Sequence, residues 1–284
     1  MATFSFDRFL LALKCHFLVE RNSWMRLFGI YTLVMFMANL FFTRVQGMNY
    51  GFMVENWDME RVVRQYNNIV GDTVGFGIVF FCFAMLFCAS FMFSQMKDTR
   101  KRSAYLLWPV SNVEKYVVSF LYSVVFMTVL TVAAYVLADA LRVLTDWLTG
   151  RIVIWGFPKL AEFFSSNAIC ENWQTAWMFF AWVFYFHSLY IVGGTLFRRQ
   201  QFLMTSAVIV VVGILLIMTL NQVHPDVDIV TGTWDEKTRT YTQVFHPAFY
   251  ILTSVLTLLI FFHYWLSYKL FTRIQVINNK WLNV

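Results

Sequence analysis

The most strongly charged stretch of the sequence is SQMKDTRKRSAYLLWPVSNVEKY, residues 94–116, which lies between two long apolar runs. Pro109 would end a helix that begins near Arg100, because proline lacks a backbone N–H and its ring clashes with the preceding turn. Ser111 and Glu114 have the spacing of a capping box, in which each side chain accepts a hydrogen bond from the other's backbone N–H. The stretch therefore predicts a short basic helix, a break and a newly capped helix. Its charged residues are Lys97, Asp98, Arg100, Lys101, Arg102, Glu114 and Lys115.

Two histidines, His187 and His263, fall inside apolar runs, where ionisable groups are expensive and often have a function. One interpretation is a polar or proton site on a translocation path, formed by His187 with Tyr185 and Tyr190 nearby in the chain. The other is a neutral histidine that is hydrogen-bonded between helices. We favour the second interpretation, because a proton-coupled site without carboxylate partners would be unusual.

The sequence lacks the common motifs for catalysis and nucleotide binding. It contains no HExxH, no GxSxG and no glycine-rich GxxxxGK[ST] loop, so the chain should not bind ATP through such a loop. Its four cysteines form no CxxC pair and have no Cys/His spacing typical of a metal site. We therefore expect a protein that is not an enzyme and that binds no cofactor or metal ion itself.

The composition indicates a membrane protein. Of the 284 residues, 59% are hydrophobic and 13% are charged, whereas soluble domains are about 45 to 50% apolar and about a quarter charged. A helix needs roughly 20 apolar residues to cross the bilayer, and six windows meet this requirement. They lie near 25–43, 73–94, 116–138, 173–196, 202–220 and 247–268. The sequence predicts an all-α polytopic membrane protein with six transmembrane helices, in which residues 1–284 form a single transmembrane domain.

Segments outside the six windows also have periodic patterns. Within residues 1–24, FDRFLLALKCHF places apolar side chains near one helical face and predicts an interfacial helix. The stretches DMERVVRQYNNIV and DALRVLTDWL predict short, separate helices at the outer interface. Residues near 228–234 and 238–244 are rich in Thr, Val and Tyr and predict the two strands of a small extracytoplasmic β-hairpin.

The distribution of Lys and Arg predicts the side of the membrane that each loop occupies, because basic flanks resist translocation. With both termini inside, the inner segments hold 14 of the 22 Lys and Arg residues and only four of the 16 Asp and Glu residues. The inner side then carries +10 and the outer side −4, in agreement with the formal net charge of +6. Residues 94–116 are therefore expected in the cytoplasm, and the basic balance indicates anionic lipid rather than nucleic acid.

Six spans, an interfacial N-terminal helix, no nucleotide loop and a capped basic stretch after the second span together resemble the permease subunit of ABC-2 type exporters. The most specific likeness is KDTRKRSAYLLWPVSNVEKY, with its basic residues, a Leu-Leu-x-Pro turn and Ser-x-x-Glu-Lys opening the third span. The resemblance implies a cytoplasmic coupling helix between spans 2 and 3 that sits in a separate ATPase subunit, which binds ATP and Mg²⁺. It also implies a second permease half, identical or related, in a bacterial cytoplasmic membrane.

The same resemblance implies roles for individual residues in the inner loop. The ATPase-coupling surface would comprise Lys97, Arg100, Lys101, Arg102, Tyr105 and Glu114, and the helix cap and hinge would comprise Pro109, Ser111 and Glu114. The substrate stays open, since exporters of drugs, peptides, lipids and glycans share this architecture. The alternative function is a non-transporting sensor or scaffold that binds partners through its outer loops, with residues 94–116 serving only as a positive inner loop.

Overall fold

The computed structural model of the protein describes residues 4–46, 59–96, 99–166, 172–197, 199–223, 229–235 and 240–273. Helices dominate these residues. The α-helices are Phe6–Val19, Arg21–Phe41, Met59–Ser90, Thr99–Leu106, Asn112–Phe120, Met127–Leu148, Phe157–Ser166, Trp173–Leu196, Gln201–Val223 and Pro247–Thr272. Short π-helical segments at Phe42–Gln46 and Leu121–Phe126, a 3₁₀ turn at Ser94–Met96 and two strands at Val230–Asp235 and Thr240–Phe245 complete the described elements.

Six of the helical segments are long and apolar enough to cross a membrane, which confirms the predicted number of transmembrane helices. We refer to them as spans 1 to 6: Arg21–Val45, Met59–Ser90, Asn112–Leu148, Trp173–Leu196, Gln201–Thr219 and Pro247–Thr272. The shortest has 19 residues, close to the roughly 20 residues that the hydrocarbon core requires. The chain is therefore a multi-pass integral membrane protein.

Spans 2 and 3 are much longer than the sequence windows, at 32 and 37 residues. The separate interfacial helices predicted for DMERVVRQYNNIV and DALRVLTDWL were wrong, because these stretches continue the two spans without a break. Neither contains a proline to end the helix. At a rise of 1.5 Å per residue, span 2 extends for about 48 Å, so its length exceeds the hydrocarbon thickness of about 30 Å.

The chain divides into two compact units, and the predicted single domain stays a prediction. Unit 1 consists of Met1–Cys88 and Pro109–Ala176, and unit 2 consists of Ala89–Trp108 and Trp177–Val284. In unit 1, spans 1 and 3 pack against each other along their length. Span 2 approaches closely at Gly77, where a Cβ atom would lie 2.8 Å from Cε2 of Tyr135.

The N-terminal helix, Phe6–Val19, packs on the beginning of span 3 within unit 1. Phe9, Ala12 and His16 are its buried residues, and Phe9 and Ala12 form a cluster with Val118. Its apolar residues Phe6 and Leu10 are exposed on another face. The helix itself is present as expected, and its position at the membrane interface stays a prediction.

In unit 2, the two strands pair as a small antiparallel sheet, which confirms the predicted pair of strands, and its extracytoplasmic position stays a prediction. Val230 pairs with Phe245 at one end of the ladder and Asp235 with Thr240 at the other. The sequence forms strands here because β-branched and aromatic residues suit a pleated backbone. The second strand leads into span 6, whose first helical residue is Pro247, and proline fits the first turn of a helix.

Candidate functional site

The candidate site is the segment between spans 2 and 3, where the basic helix predicted from the sequence runs from Thr99 to Leu106. We call it the loop helix. Arg100 and Lys101 are exposed, and Leu107, the residue that follows the helix, has 81% of its surface exposed. By contrast, Arg102 is 0% exposed and Tyr105 is 2% exposed. The helix thus has one face held inside unit 2 and another face that presents two cations and a leucine.

Aromatic contacts fix the buried face of the loop helix. The Tyr105 ring lies 5.3 Å from Trp108 and 6.5 Å from Phe271, measured between centroids. Phe271, at the end of span 6, stacks in turn on Phe93, just after span 2, at 5.0 Å and an interplanar angle of 18°. Aromatic pairs at such distances contribute roughly 0.5 to 1.5 kcal/mol beyond their buried area. The loop helix is therefore tied to the ends of two spans.

The predicted capping box is present at the start of span 3. The Ser111 hydroxyl oxygen accepts a hydrogen bond from the Glu114 N–H at 3.2 Å, and the Glu114 carboxylate accepts one from the Ser111 N–H at 2.6 Å. The same carboxylate accepts a hydrogen bond from the Ser5 N–H at 2.7 Å and lies 3.4 Å from Arg8 Nη2. Glu114, which is 0% exposed, therefore joins the N-terminal helix to span 3.

The structure distributes the predicted coupling residues over three environments. Arg100 and Lys101 are exposed, Arg102 and Tyr105 are buried in unit 2, and Glu114 is buried in unit 1. Lys97 lies outside the described residues. Pro109 is exposed in the non-helical turn between Leu106 and Asn112, so the predicted order of helix, break and capped helix is present. The coupling role itself stays a prediction.

The residues predicted for a translocation path make hydrogen bonds between helices of unit 2. His187 Nδ1 lies 3.0 Å from the Tyr264 hydroxyl oxygen, which joins span 4 to span 6. The Tyr190 hydroxyl group lies 2.7 Å from Oγ of Ser206 on span 5, and the Tyr185 ring lies 5.5 Å from that of His263. Such contacts are typical of polar side chains that join membrane helices. A role in translocation stays a prediction.

One group of ionisable residues in unit 1 was missed by the sequence analysis. In span 3, Arg142 Nη2 donates to Asp139 Oδ1 at 2.7 Å, and Arg142 Nη1 donates to Asp146 Oδ2 at 2.9 Å. Arg142 Nη2 also donates to the Ile154 carbonyl oxygen at 2.6 Å. All three charged residues are buried. The signal was available in DALRVLTDWL, because acid, base and acid at positions i, i+3 and i+7 share one helical face.

Residues from spans 1 and 2 complete this group, which we call the charge network: Arg44, Tyr66, Asp139, Arg142 and Asp146. The Tyr66 hydroxyl group donates to Asp146 Oδ2 at 2.6 Å. Arg44 Nη2 lies 3.1 Å from Asp146 Oδ1. The other Asp139 oxygen accepts hydrogen bonds from the N–H groups of Gly156 and Phe157, and so caps the helix Phe157–Ser166. With two arginines and two aspartates, the network is neutral.

Comparisons of the chain with protein-family models, with curated proteins and with solved structures found no match. The function must therefore be argued from the site, because a membrane fold alone does not determine an activity. Within the ranges that the structure describes, no group of three or more His, Cys, Asp or Glu residues could hold a metal ion.

Proposed function

We propose that the chain is the permease subunit of an ATP-binding-cassette exporter, driven by a separate ATPase that docks on the loop helix. The observation that carries the proposal is the division of this helix into a buried aromatic face and an exposed cationic face. Arg100 and Lys101 are exposed, whereas Tyr105 is held against Phe271. A positive inner loop needed only for topology would require the charges but not the buried anchor.

The exposed face indicates the chemistry of the partner surface. Arg100 and Lys101 would pair with carboxylates, and Leu107 would enter an apolar depression, because its exposed surface gains most when it is removed from water. Charged residues at the edge of an interface mainly determine specificity and association rate, whereas buried apolar anchors contribute most of the affinity. We therefore expect an acidic cleft with an apolar floor on the ATPase.

The buried face offers a route by which movement of the ATPase could reach the membrane. A displacement of the loop helix would act through Tyr105 on Phe271 and from there on Phe93. These two phenylalanines lie at the ends of spans 6 and 2. Packed side chains in discrete arrangements transmit displacement because protein interiors compress little. In the proposed cycle, ATP-driven closure of the ATPases would tilt these spans between inward and outward access, with a second permease half completing the transporter.

The test is a purification in mild detergent from the native host, followed by mass spectrometry of bound proteins and an ATPase assay. We expect a stoichiometric phosphate-loop ATPase with the wild-type chain and at least a tenfold loss of it with Arg100→Glu/Lys101→Glu. The control is Arg199→Glu/Arg273→Glu, which makes the same charge change at two exposed positions elsewhere in unit 2.

The outcomes separate the two functions considered for the chain. Loss of the ATPase from the loop-helix variant alone supports the permease. Equal loss from both variants would indicate a general effect of charge and would contradict docking on the loop helix. Purification of the wild-type chain without any ATPase would refute the proposal and favour a sensor or scaffold that does not transport.

A further inference from the structure

We propose that the exposed face of span 2 lines a water-filled vestibule that enters the membrane-spanning part of unit 1 and admits hydrophilic solutes. This face, which we call the polar stripe, begins at the first turns of span 2. Its residues are Glu60, Arg61, Arg64, Asn68 and Asp72, all of them exposed. The stripe becomes apolar deeper in the span, at Val79 and Phe83.

Contacts within unit 1 fix the depth of the polar stripe relative to span 3. Tyr66 is bonded to Asp146, and Gly77 meets the ring of Tyr135. From the first contact to the second, the residue number rises by eleven on span 2, from 66 to 77, and falls by eleven on span 3, from 146 to 135. The helices are thus antiparallel and in constant register, so that Asn68 lies level with Leu144.

At that level, span 3 presents an apolar surface that no other described element of unit 1 covers. Apart from Val113 in the first turn, the exposed large apolar side chains along span 3 are Val125, Val129, Val132, Leu137, Leu141, Leu144, Trp147 and Leu148. From the first to the last of them the helix rises about 35 Å, at 1.5 Å per residue. This length matches a hydrocarbon core of about 30 Å crossed with a modest tilt. Lipid therefore covers this face as far as Trp147, a residue type enriched at membrane interfaces.

The charge network supports the same depth. Around this level of span 3 the charged side chains of Asp139, Arg142 and Asp146 point inward, whereas the leucines point outward. A helix end surrounded by water would show the opposite arrangement. Span 1 agrees, because Arg44 contacts Asp146 while Phe41 and Val45 beside it are exposed. Two of the three helices are therefore lipid-facing where span 2 is polar.

The polar stripe cannot face lipid at this depth. In this register, position 64 of span 2 is level with Leu148, where the apolar face of span 3 ends. Asp72 lies eight residues deeper in span 2, which is about 12 Å below that end. An aspartate in the middle of a lipid-facing helix is strongly unfavourable on insertion scales, and Asn68 adds an unsatisfied amide. Water beside span 2 removes both penalties. The inference does not depend on the ATPase; in a permease, the vestibule would favour polar cargo.

The test compares cysteines at equal depth in full-length protein reconstituted in nanodiscs, where both membrane faces are accessible. In a background with the four native cysteines replaced by alanine, Asn68→Cys and Asp72→Cys are paired with Leu141→Cys and Leu144→Cys. All four positions are exposed, so the substitutions should be tolerated. We measure the reaction rate with a charged thiol reagent, and the quenching of a fluorophore at each cysteine by brominated lipid.

We expect the stripe cysteines to react at least ten times faster with the charged reagent than the leucine-site cysteines, since a thiol must ionise to react and lipid opposes ionisation. Lipid quenching should be strong at the leucine sites and weak at the stripe. The proposal is overturned if the stripe cysteines are shielded from the charged reagent, as a second copy or lipid covering them would cause. It is also overturned if Leu144→Cys reacts as fast as Asn68→Cys, because that entire end of unit 1 would then lie in water.

Discussion

Replacement of Glu114 by glutamine should destabilise unit 1 far more than removal of its arginine partner. The carboxylate accepts hydrogen bonds from two backbone N–H groups, those of Ser5 and Ser111, through different oxygens. Glutamine offers one oxygen and one NH₂ group, so one of the two backbone donors would face another donor. A buried donor left unsatisfied costs about 1 to 3 kcal/mol, and bonds to a charged acceptor are stronger than bonds to a neutral one.

These effects together give about 2 to 4 kcal/mol for Glu114→Gln, or roughly 5 to 15 °C in melting temperature for a chain of this size. The matched control is Arg8→Gln. The Arg8 side chain is 38% exposed and lies 3.4 Å from the carboxylate, so its loss should cost less than about 1 kcal/mol. Thermal unfolding in detergent measures both changes. Hydrogen exchange should rise at Ser5 and Ser111 in Glu114→Gln only.

Equal melting temperatures for wild type and Glu114→Gln would refute this account of the carboxylate, and so would equal losses in the two variants. The prediction also limits what a charge reversal at Glu114 can reveal. Because the carboxylate is buried and bonded, such a variant would damage unit 1 whether or not the residue touches a partner, so a loss of the proposed ATPase coupling would not show that Glu114 contacts the ATPase. Charge reversals at Arg100 and Lys101, which are exposed, are the appropriate test of contact with a partner.

Three other perturbations test separate parts of the structure by thermal unfolding. Arg142→Met should cost about 3 to 5 kcal/mol by leaving buried carboxylates uncompensated, and changing both aspartate partners to asparagine as well should recover part of the loss. Gly194→Ala would place a Cβ atom 2.6 Å from a backbone oxygen of span 2 and should cost about 1 to 3 kcal/mol, whereas Gly213→Ala, with nothing within 4 Å, should be neutral or stabilising. Burial lowers the pKa of His16 from 6.5 to about 4. The free energy of unfolding should therefore be highest above pH 6.5 and about 2 kcal/mol lower at pH 5, because the unfolded state binds the proton first. His16→Gln should remove this pH dependence.

The elements that depend on local sequence could be predicted. The six spans follow from the length and hydropathy of each run, and the capping box of Ser111 and Glu114 depends on residues three apart. The charge network could not be predicted in full, because Arg44 and Tyr66 reach it from distant parts of the chain. The leucines of DALRVLTDWL suggested a surface helix with its charges in water, whereas the structure buries the charges and exposes the leucines. The burial of Tyr105 likewise depends on Phe271, at the other end of the sequence.

Span 3 is fixed near both ends by bonds to other elements of unit 1. Near its beginning, Glu114 holds the N-terminal helix, and near its end Asp146 is bonded to Tyr66 and paired with Arg44. A shift of span 3 by one helical turn, about 5.4 Å, would exceed hydrogen-bonding distance at both places. It would also leave the buried carboxylates of Asp146 and Glu114 without their partners on the neighbouring elements, Arg44 and the Ser5 N–H. Sliding of span 3 against spans 1 and 2 is therefore costly, and we expect spans 1 to 3 and the N-terminal helix to move as one body.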